Sequence, residues 1–311
     1  MIEVAIMLEG QNGLNWPRWE RLARAVEDLG FVGLYRSDHF TNPEPPDRDA
    51  LDLWLSLTWL ASHTRRIEFG SLVTPVSFRH PVHTARMGLQ VDNLSGGRLT
   101  LGMGAGWQAR EHTLFGFDLL DLPQRFERFH EGLEVITRLL RSNQLVSFQG
   151  KFYRLHDAVL LPRPQRPGRP PILVGGNGRT RTLPLAAAYA DEWNGTFLTP
   201  ARFSELSARL DRLLEERGRR PGDVRRSMMT NVVFGRDEAE LLRNLQGRPA
   251  AELRAQGRIV GTPSRVVEQL GTLAEAGVQR VMLQWLDLDD LDRLEAMATS
   301  VLPQAQGSVK E

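Results

Sequence analysis

The chain alternates short apolar segments with longer stretches of helical period, a pattern that predicts helices covering a parallel sheet. Residues 4–8 read as a first strand, and Trp16, Trp19, Leu22, Ala23, Val26 and Leu29 then recur at helical spacing until Gly30 stops the helix. Residues 31–35 restart as a strand, 51–61 give a second helix and 67–73 a third strand. A third helix is expected over 81–94, where Pro81 suits the first turn, and a fourth strand over 98–101. Phe126, Phe129, Leu133, Ile136 and Leu140 make the buried face of a fourth helix. A long proline-rich insertion follows, then strand five at 171–174 and strand six at 191–196. Segments 203–214, 227–234, 264–276, 280–285 and 288–302 supply the remaining helices and strands, with a less regular region over 235–261.

The count comes close to eight strand–helix pairs. An open doubly wound sheet gives the same alternation, but the number and even spacing of the units favour closure into a (β/α)₈ TIM barrel. The expectation is one α/β barrel domain over residues 1–311, with insertions after strands four and seven, a length at which such barrels commonly occur as one domain.

Composition narrows the function classes. Hydrophobic residues make up 41% and charged ones 25%, and 39 basic side chains nearly cancel 38 acidic ones, so neither nucleic acid nor an acidic membrane surface is called for. No apolar run approaches the roughly 20 residues of a bilayer span, and Met1 leads straight into the first strand without a basic leader. A cytoplasmic protein acting on a small molecule is expected. The absence of cysteine excludes disulfides, thiolate nucleophiles and cysteine-ligated metal. Helices on the outside of a barrel offer faces on which two copies can pair as a homodimer.

In such a barrel, functional groups gather where strands end and the following loops begin. Ser37-Asp38-His39-Phe40 follows strand two and brings a carboxylate and an imidazole to the mouth. Adjacent side chains on extended backbone diverge, so the two need not touch. His39 suits proton donation near neutral pH and Asp38 suits accepting a hydrogen bond, although a polar pair at a strand end serves equally to fix a loop. After strand three, Pro75 and Pro81 restrict the backbone while Thr74 supplies a hydroxyl at the mouth, in what is otherwise a rigid strand-to-helix connection. Gly102-Met103-Gly104-Ala105-Gly106-Trp107 follows strand four, where small residues let a flat ligand approach the backbone and Trp107 can wall the pocket.

The strongest local signal is Gly175-Gly176-Asn177-Gly178-Arg179 after strand five, where exposed N–H groups opening a helix can bind phosphate with Arg179 nearby. It is neither a Walker loop nor a dinucleotide fingerprint. Glu9, at the end of strand one, and Asn194 are candidates for a substrate pocket together with Trp107. His80, His83, His112 and His130 lack companions at recognised ligand spacing, so no metal site is expected. Ser71 and Ser77 lack a nucleophile elbow, and the arginine-rich stretch 217–226 reads as a solvated helix end.

Taken in order, these segments resemble the luciferase-like oxidoreductases, particularly the branch that uses the deazaflavin coenzyme F420. The resemblance covers nearly the whole chain. It is carried by Ser-Asp-His-Phe at 37–40, Thr-Pro at 74–75, Leu-Ser-Gly-Gly-Arg-Leu at 94–99, Gly-Ala-Gly-Trp at 104–107, Glu111 with Phe115-Gly116, and Gly-Gly-Asn-Gly at 175–178. The resemblance implies that Asp38, His39 and Thr74 meet the deazaflavin head, that Ala105 and Gly106 lie along it, and that Gly175, Gly176, Gly178 and Arg179 hold its phosphate end. It also implies a bulge after strand three, often with a non-prolyl cis peptide, near Val73 and Thr74.

One position departs from the pattern. Sugar-phosphate dehydrogenases of this branch carry a proton-accepting glutamate where this chain has Trp107, which argues against oxidation of a glucose phosphate. The resemblance thus implies hydride transfer between F420 and a small organic substrate, with His39 supplying a proton or polarising the reacting group. An FMN-dependent monooxygenase fed by a separate reductase shares most of these landmarks. A barrel that binds a cofactor without catalysis is the third reading.

Overall fold

The computed structural model describes residues 1–306. Eight parallel strands run β1 Glu3–Leu8, β2 Gly33–Arg36, β3 Glu68–Ser71, β4 Leu99–Gly104, β5 Ile172–Gly175, β6 Glu192–Thr196, β7 Arg225–Phe234 and β8 Arg280–Gln284. Each pairs with the next, β8 returns to β1, and the sheet closes as a TIM-like barrel. Its interior holds Ala5, Met7, Tyr35, Leu72, Leu173 and Met282. A much larger apolar layer lies between the strands and the surrounding helices. Helix Trp16–Asp28 shows why: Asn15 caps it, and Trp19, Leu22, Ala23 and Val26 form the stripe it buries.

Charge closes the end of the barrel where the strands begin. Arg280, almost wholly buried, reaches Glu3 and Glu68 at 2.7 Å each and lies 3.9 Å from Glu192, while its Nη1 donates to Tyr35 Oη at 2.5 Å. Burial alone would lower the guanidinium's pKa, but Tyr35 and the three carboxylates hold it above its ordinary value. Burial also pushes the Glu192 carboxyl up, with Arg280 opposing.

The bulge with a non-prolyl cis peptide that the resemblance implies after strand three is present: the strand ends at Ser71, two residues sooner than its apolar run suggests, and resumes as Thr74–Pro75, which pairs with Met103 and Gly104, and the intervening Leu72–Val73 peptide is cis. Strand four runs three residues further than expected, so Gly102, Met103 and Gly104 belong to the strand and not to the turn after it. The reason is a close approach between backbones. A Cβ on Gly70 would fall 2.0 Å from the Thr100 carbonyl oxygen, and one on Gly102 would fall 1.9 Å from that of Ser71. Only glycine permits this seam. Ser71 Oγ bridges the break, donating to the Gly102 carbonyl at 2.8 Å and accepting from its N–H at 3.0 Å.

Between β4 and β5 the chain forms helix Ala109–Phe115, helix Leu122–Arg141 and an antiparallel hairpin, Val146–Gln149 with Arg154–Ala158. The stretch 235–261, expected to be less regular, contains helices Glu238–Leu245 and Ala250–Ala255 and a strand, Ile259–Gly261, that extends the sheet beside Val232–Phe234. Its regularity comes from a small core of its own, in which Leu241, Leu245 and Leu253 close over Val233 and Val260. No helix among the described residues is long and apolar enough to cross a membrane.

Candidate functional site

A cavity of about 520 Å³ opens where the barrel strands end, within the range of small-molecule sites. One side is main chain. Val73, projecting from the break after β3, faces Gly104 and Gly175; a Cβ on Gly104 would sit 2.5 Å from a Val73 methyl, and one on Gly175 would sit 3.0 Å from the other. Ala105, Gly106 and Gly176 continue this surface. Gly106 and Gly176 have φ of +86° and +123°, so both require glycine's freedom. The result is a low wall, free of large side chains, against which a planar ring can lie. Aromatic and aliphatic groups, among them Leu122, Phe126, Phe129, Phe197 and Met229, line other parts.

His39 stands beside this wall. Its Nδ1 lies 2.8 Å from Glu111 Oε1, and Glu111 Oε2 accepts the Phe40 N–H at 3.0 Å. Glu111 is buried, and because a carboxylate only accepts, Nδ1 carries the proton of this bond. Nε2 has no protein hydrogen-bond partner among the described residues. Burial lowers the imidazole's pKa, but the hydrogen bond and charge of Glu111, with smaller help from Glu9 and Asp38, outweigh it and leave His39 above its ordinary value. The indole of Trp107 meets the His39 ring edge-on, with centroids 5.6 Å apart.

Sequence neighbours separate here. His39 lines the cavity, whereas Asp38 turns into the protein, where Arg79 grips its carboxylate and Thr74 Oγ1 donates to it at 2.6 Å. Asp38 and Thr74 therefore tie the loop after β2 to the break after β3. The loop after β5 divides in the same way. Gly175 and Gly176 line the cavity, but Asn177 spends its amide on Thr196, donating to the carbonyl at 2.8 Å and accepting from the N–H at 2.9 Å. Gly178 packs against Thr182, where a Cβ would fall 2.7 Å from Oγ1, and Arg179 pairs with Glu205 at 2.9 Å. The helix that follows begins only at Thr182, later than the expected helix start, and Thr182 itself reaches the cavity.

Glu9 and Asn194 both line the cavity. Asn194 is anchored from β6 to Ser227 Oγ on β7 at 2.9 Å. Glu9 accepts from Gln284 Nε2 at 2.6 Å and from Gln11 Nε2 at 3.0 Å.

Glu111 and Arg125 are the two charged lining residues that the sequence does not single out as site residues. Glu111 lies 72 positions from His39, a pairing that no local spacing rule anticipates. Arg125, on the helix after β4, donates only to the carbonyl oxygens of Gly106, Leu119 and Leu120, at 3.2 to 3.3 Å, and no carboxylate pairs with it among the described residues. Its remaining N–H groups are available to an anion. No group of three or more His, Asp or Glu gathers as a metal site among the described residues.

Comparison with known proteins adds to this geometry. The family model described as "Luciferase-like monooxygenase" matches residues 3–258. An F420-dependent glucose-6-phosphate dehydrogenase of Kineococcus radiotolerans is 27% identical over 271 residues, covering 85% of this chain and 77% of the relative. A 4-hydroxyprotoasukamycin monooxygenase of Streptomyces nodosus subsp. asukaensis is 28% identical over 343 residues, covering 96% and 89%. Among solved structures, an F420-dependent secondary alcohol dehydrogenase in complex with an F420-acetone adduct matches with a TM-score of 0.85 at 17% identity, over 98% of this chain and 99% of that one. That last likeness speaks for the fold.

Proposed function

Since the chain belongs to the luciferase-like monooxygenase family, we propose that it is an F420-dependent oxidoreductase that transfers a hydride between the deazaflavin and a small organic substrate. The observation that carries this reading is the wall of Val73, Gly104 and Gly175 with the His39–Glu111 pair at its edge. The glycines at 104 and 175 make room for Val73, which then offers a narrow support against which a flat tricyclic ring can lie, and F420 dependence is the activity for which the Kineococcus relative is named. When bound, the deazaflavin would supply hydride chemistry at carbon.

The protein's own groups do the rest. His39 holds a proton at Nε2 toward the cavity, while Glu111 fixes the ring's orientation and favours its charged form. Ala105 and Gly106 flank the ring. Gly175 and Gly176 receive the phosphate end, and Arg125 gives it a cation from inside the cavity. Asp38, Thr74, Asn177 and Gly178 act by shaping the two loops. Trp107 cannot accept a proton as a glutamate would, so the sugar phosphate of the Kineococcus relative is not carried over.

Titration of the purified protein with oxidised F420 and, separately, with FMN tests the assignment. Saturable binding of F420, followed by its absorbance, with weaker binding of FMN is the expected result. Tight binding of FMN with no affinity for F420 would assign the chain to flavin-dependent oxygenation instead. In the same titration Arg125→Ala is expected to weaken F420 about tenfold or more, and Arg179→Ala, whose side chain Glu205 already holds, considerably less. The reverse order would return the phosphate to Arg179.

A further inference from the structure

The proline-rich stretch after the hairpin lies away from the cavity at the mouth. It runs Arg163-Pro164-Gln165-Arg166-Pro167-Gly168-Arg169-Pro170 toward β5, at the end of the barrel where the strands begin. There it meets the end of helix Leu122–Arg141 and encloses a second recess of about 380 Å³. Arg141, Arg163, Arg166 and Arg169 line this recess with Asn143 and Gln165, and no aspartate or glutamate among the described residues does.

The carboxylates close by offset only part of this charge. Asp191 accepts Arg169 in a fork, at 2.6 and 3.1 Å, and also the Ile172 N–H at 2.7 Å. Buried Asp92 lies 3.5 Å from Arg166 and accepts the Leu99 N–H at 3.2 Å. With each of these pairs taken as neutral, Arg163 and Arg141 remain. Arg163 donates to the carbonyl oxygens of Leu139, Leu140 and Leu160, so it offsets the negative end of the helix dipole. Arg141 makes no ion pair and no side-chain hydrogen bond among the described residues. Partial burial and repulsion from Arg169 and Arg219 lower its pKa, with Asp191 opposing them. Arg219 adds to the excess, since it donates only to carbonyl oxygens, those of Ala187, Ala190 and Asp223.

The backbone that carries these groups is stiff. Pro164, Pro167 and Pro170 restrict φ, and Asn93 ties the loop down by donating to the Arg163 carbonyl at 3.4 Å and accepting the Gln165 N–H at 3.0 Å. Groups held this way lose little freedom when a ligand arrives. A guanidinium fork matches two oxygens of a phosphate, and an anion is the ligand that relieves repulsion among cations.

We propose that this recess is an anion site, separate from the cavity at the mouth, which takes a phosphate group of two or more negative charges, free or esterified, between Arg141 and the loop 163–169. The site stands whether the mouth binds F420, FMN or neither.

Calorimetric titration of the whole protein at constant ionic strength tests it, with pyrophosphate as the free ion and glycerol 3-phosphate as the ester. Three variants accompany the wild type. Arg141→Gln removes the unpaired cation of the recess. Arg125→Ala removes the cation that the proposed function gives to the mouth. Arg243→Gln takes one equal charge from the exposed side of helix Glu238–Leu245. At least one of the two probes is expected to bind saturably, to keep its affinity in Arg125→Ala and Arg243→Gln, and to weaken about tenfold in Arg141→Gln. The tighter probe shows whether the ion arrives free or as an ester. Arg141 is exposed and makes no hydrogen bond, so its variant should fold, which circular dichroism and melting temperature establish. Absence of saturable binding to the wild type overturns the proposal without any variant. Equal weakening in Arg141→Gln and Arg243→Gln overturns it as an effect of net charge, and loss in Arg125→Ala alone overturns it by placing the ion at the mouth.

Discussion

Replacing His39 by glutamine is expected to lower turnover by about 10²–10⁴-fold while F420 binding changes little, because in the proposed function the group lost carries a proton at the edge of the ring and is not part of its wall. Single-turnover rates beside a cofactor titration check both halves of that statement. Equal losses in binding and rate would make His39 a structural contact. Glu111→Gln should act through His39 and leave a different signature. Burial lowers the imidazole pKa and Glu111 raises it, so removing the carboxylate's charge leaves burial dominant. If the protonated imidazole is the active form, activity falls as pH rises through the His39 pKa, and in the variant this fall moves to lower pH. A profile that keeps its limb in place would separate Glu111 from the titration.

The largest effect on stability is expected at the other end of the barrel. Arg280→Met should cost about 3–5 kcal/mol in urea unfolding, since it leaves buried Glu192 without its cation. The loss should depend on pH. Burial already raises the Glu192 carboxyl above 4.5, and without Arg280 it rises further. A carboxyl with a raised folded pKa gives its full stability below the unfolded value and loses it as pH climbs through the folded one. The gap between variant and wild type should therefore narrow as pH falls from about 8 toward 5. A gap independent of pH would show that Glu192 does not carry the cost.

The positions that could be read in the chain are those whose signals are local. The helix Pro81–Leu94 begins and ends where its proline and the Ser95-Gly96-Gly97 turn dictate. His39 and Glu9 follow strands identified from their apolar runs, so their arrival at the mouth was legible, as was the divergence of Asp38 from His39. What could not be read depends on encounters between distant segments. Glu111 sits on a helix of seven residues, too short for a periodic signal, and finds His39 only once the barrel closes. Arg179 reads as a cation for a phosphate because it follows three glycines, and its exposed ion pair with Glu205, on a helix 26 positions later, is not visible in the sequence. The glycines of strand four suggest a turn to sequence reasoning, whereas in the fold they accommodate the Ser71 carbonyl and the Val73 side chain.

The glycine seam between β3 and β4, with Val73 beside it, also limits how this protein can be altered. A new side chain at Gly70, Gly102 or Gly104 would strike a carbonyl oxygen or a methyl group at 1.9 to 2.5 Å, so the main-chain wall of the cavity tolerates almost no variation. The side chains that line the rest of the cavity have no such restriction. Met229, Phe197 and Trp107 present side chains from separate loops and strands, and each can change size without forcing backbones apart. A mutant library meant to retarget the enzyme belongs at those three positions, where diversity alters what is accepted while the chemistry's support stays in place.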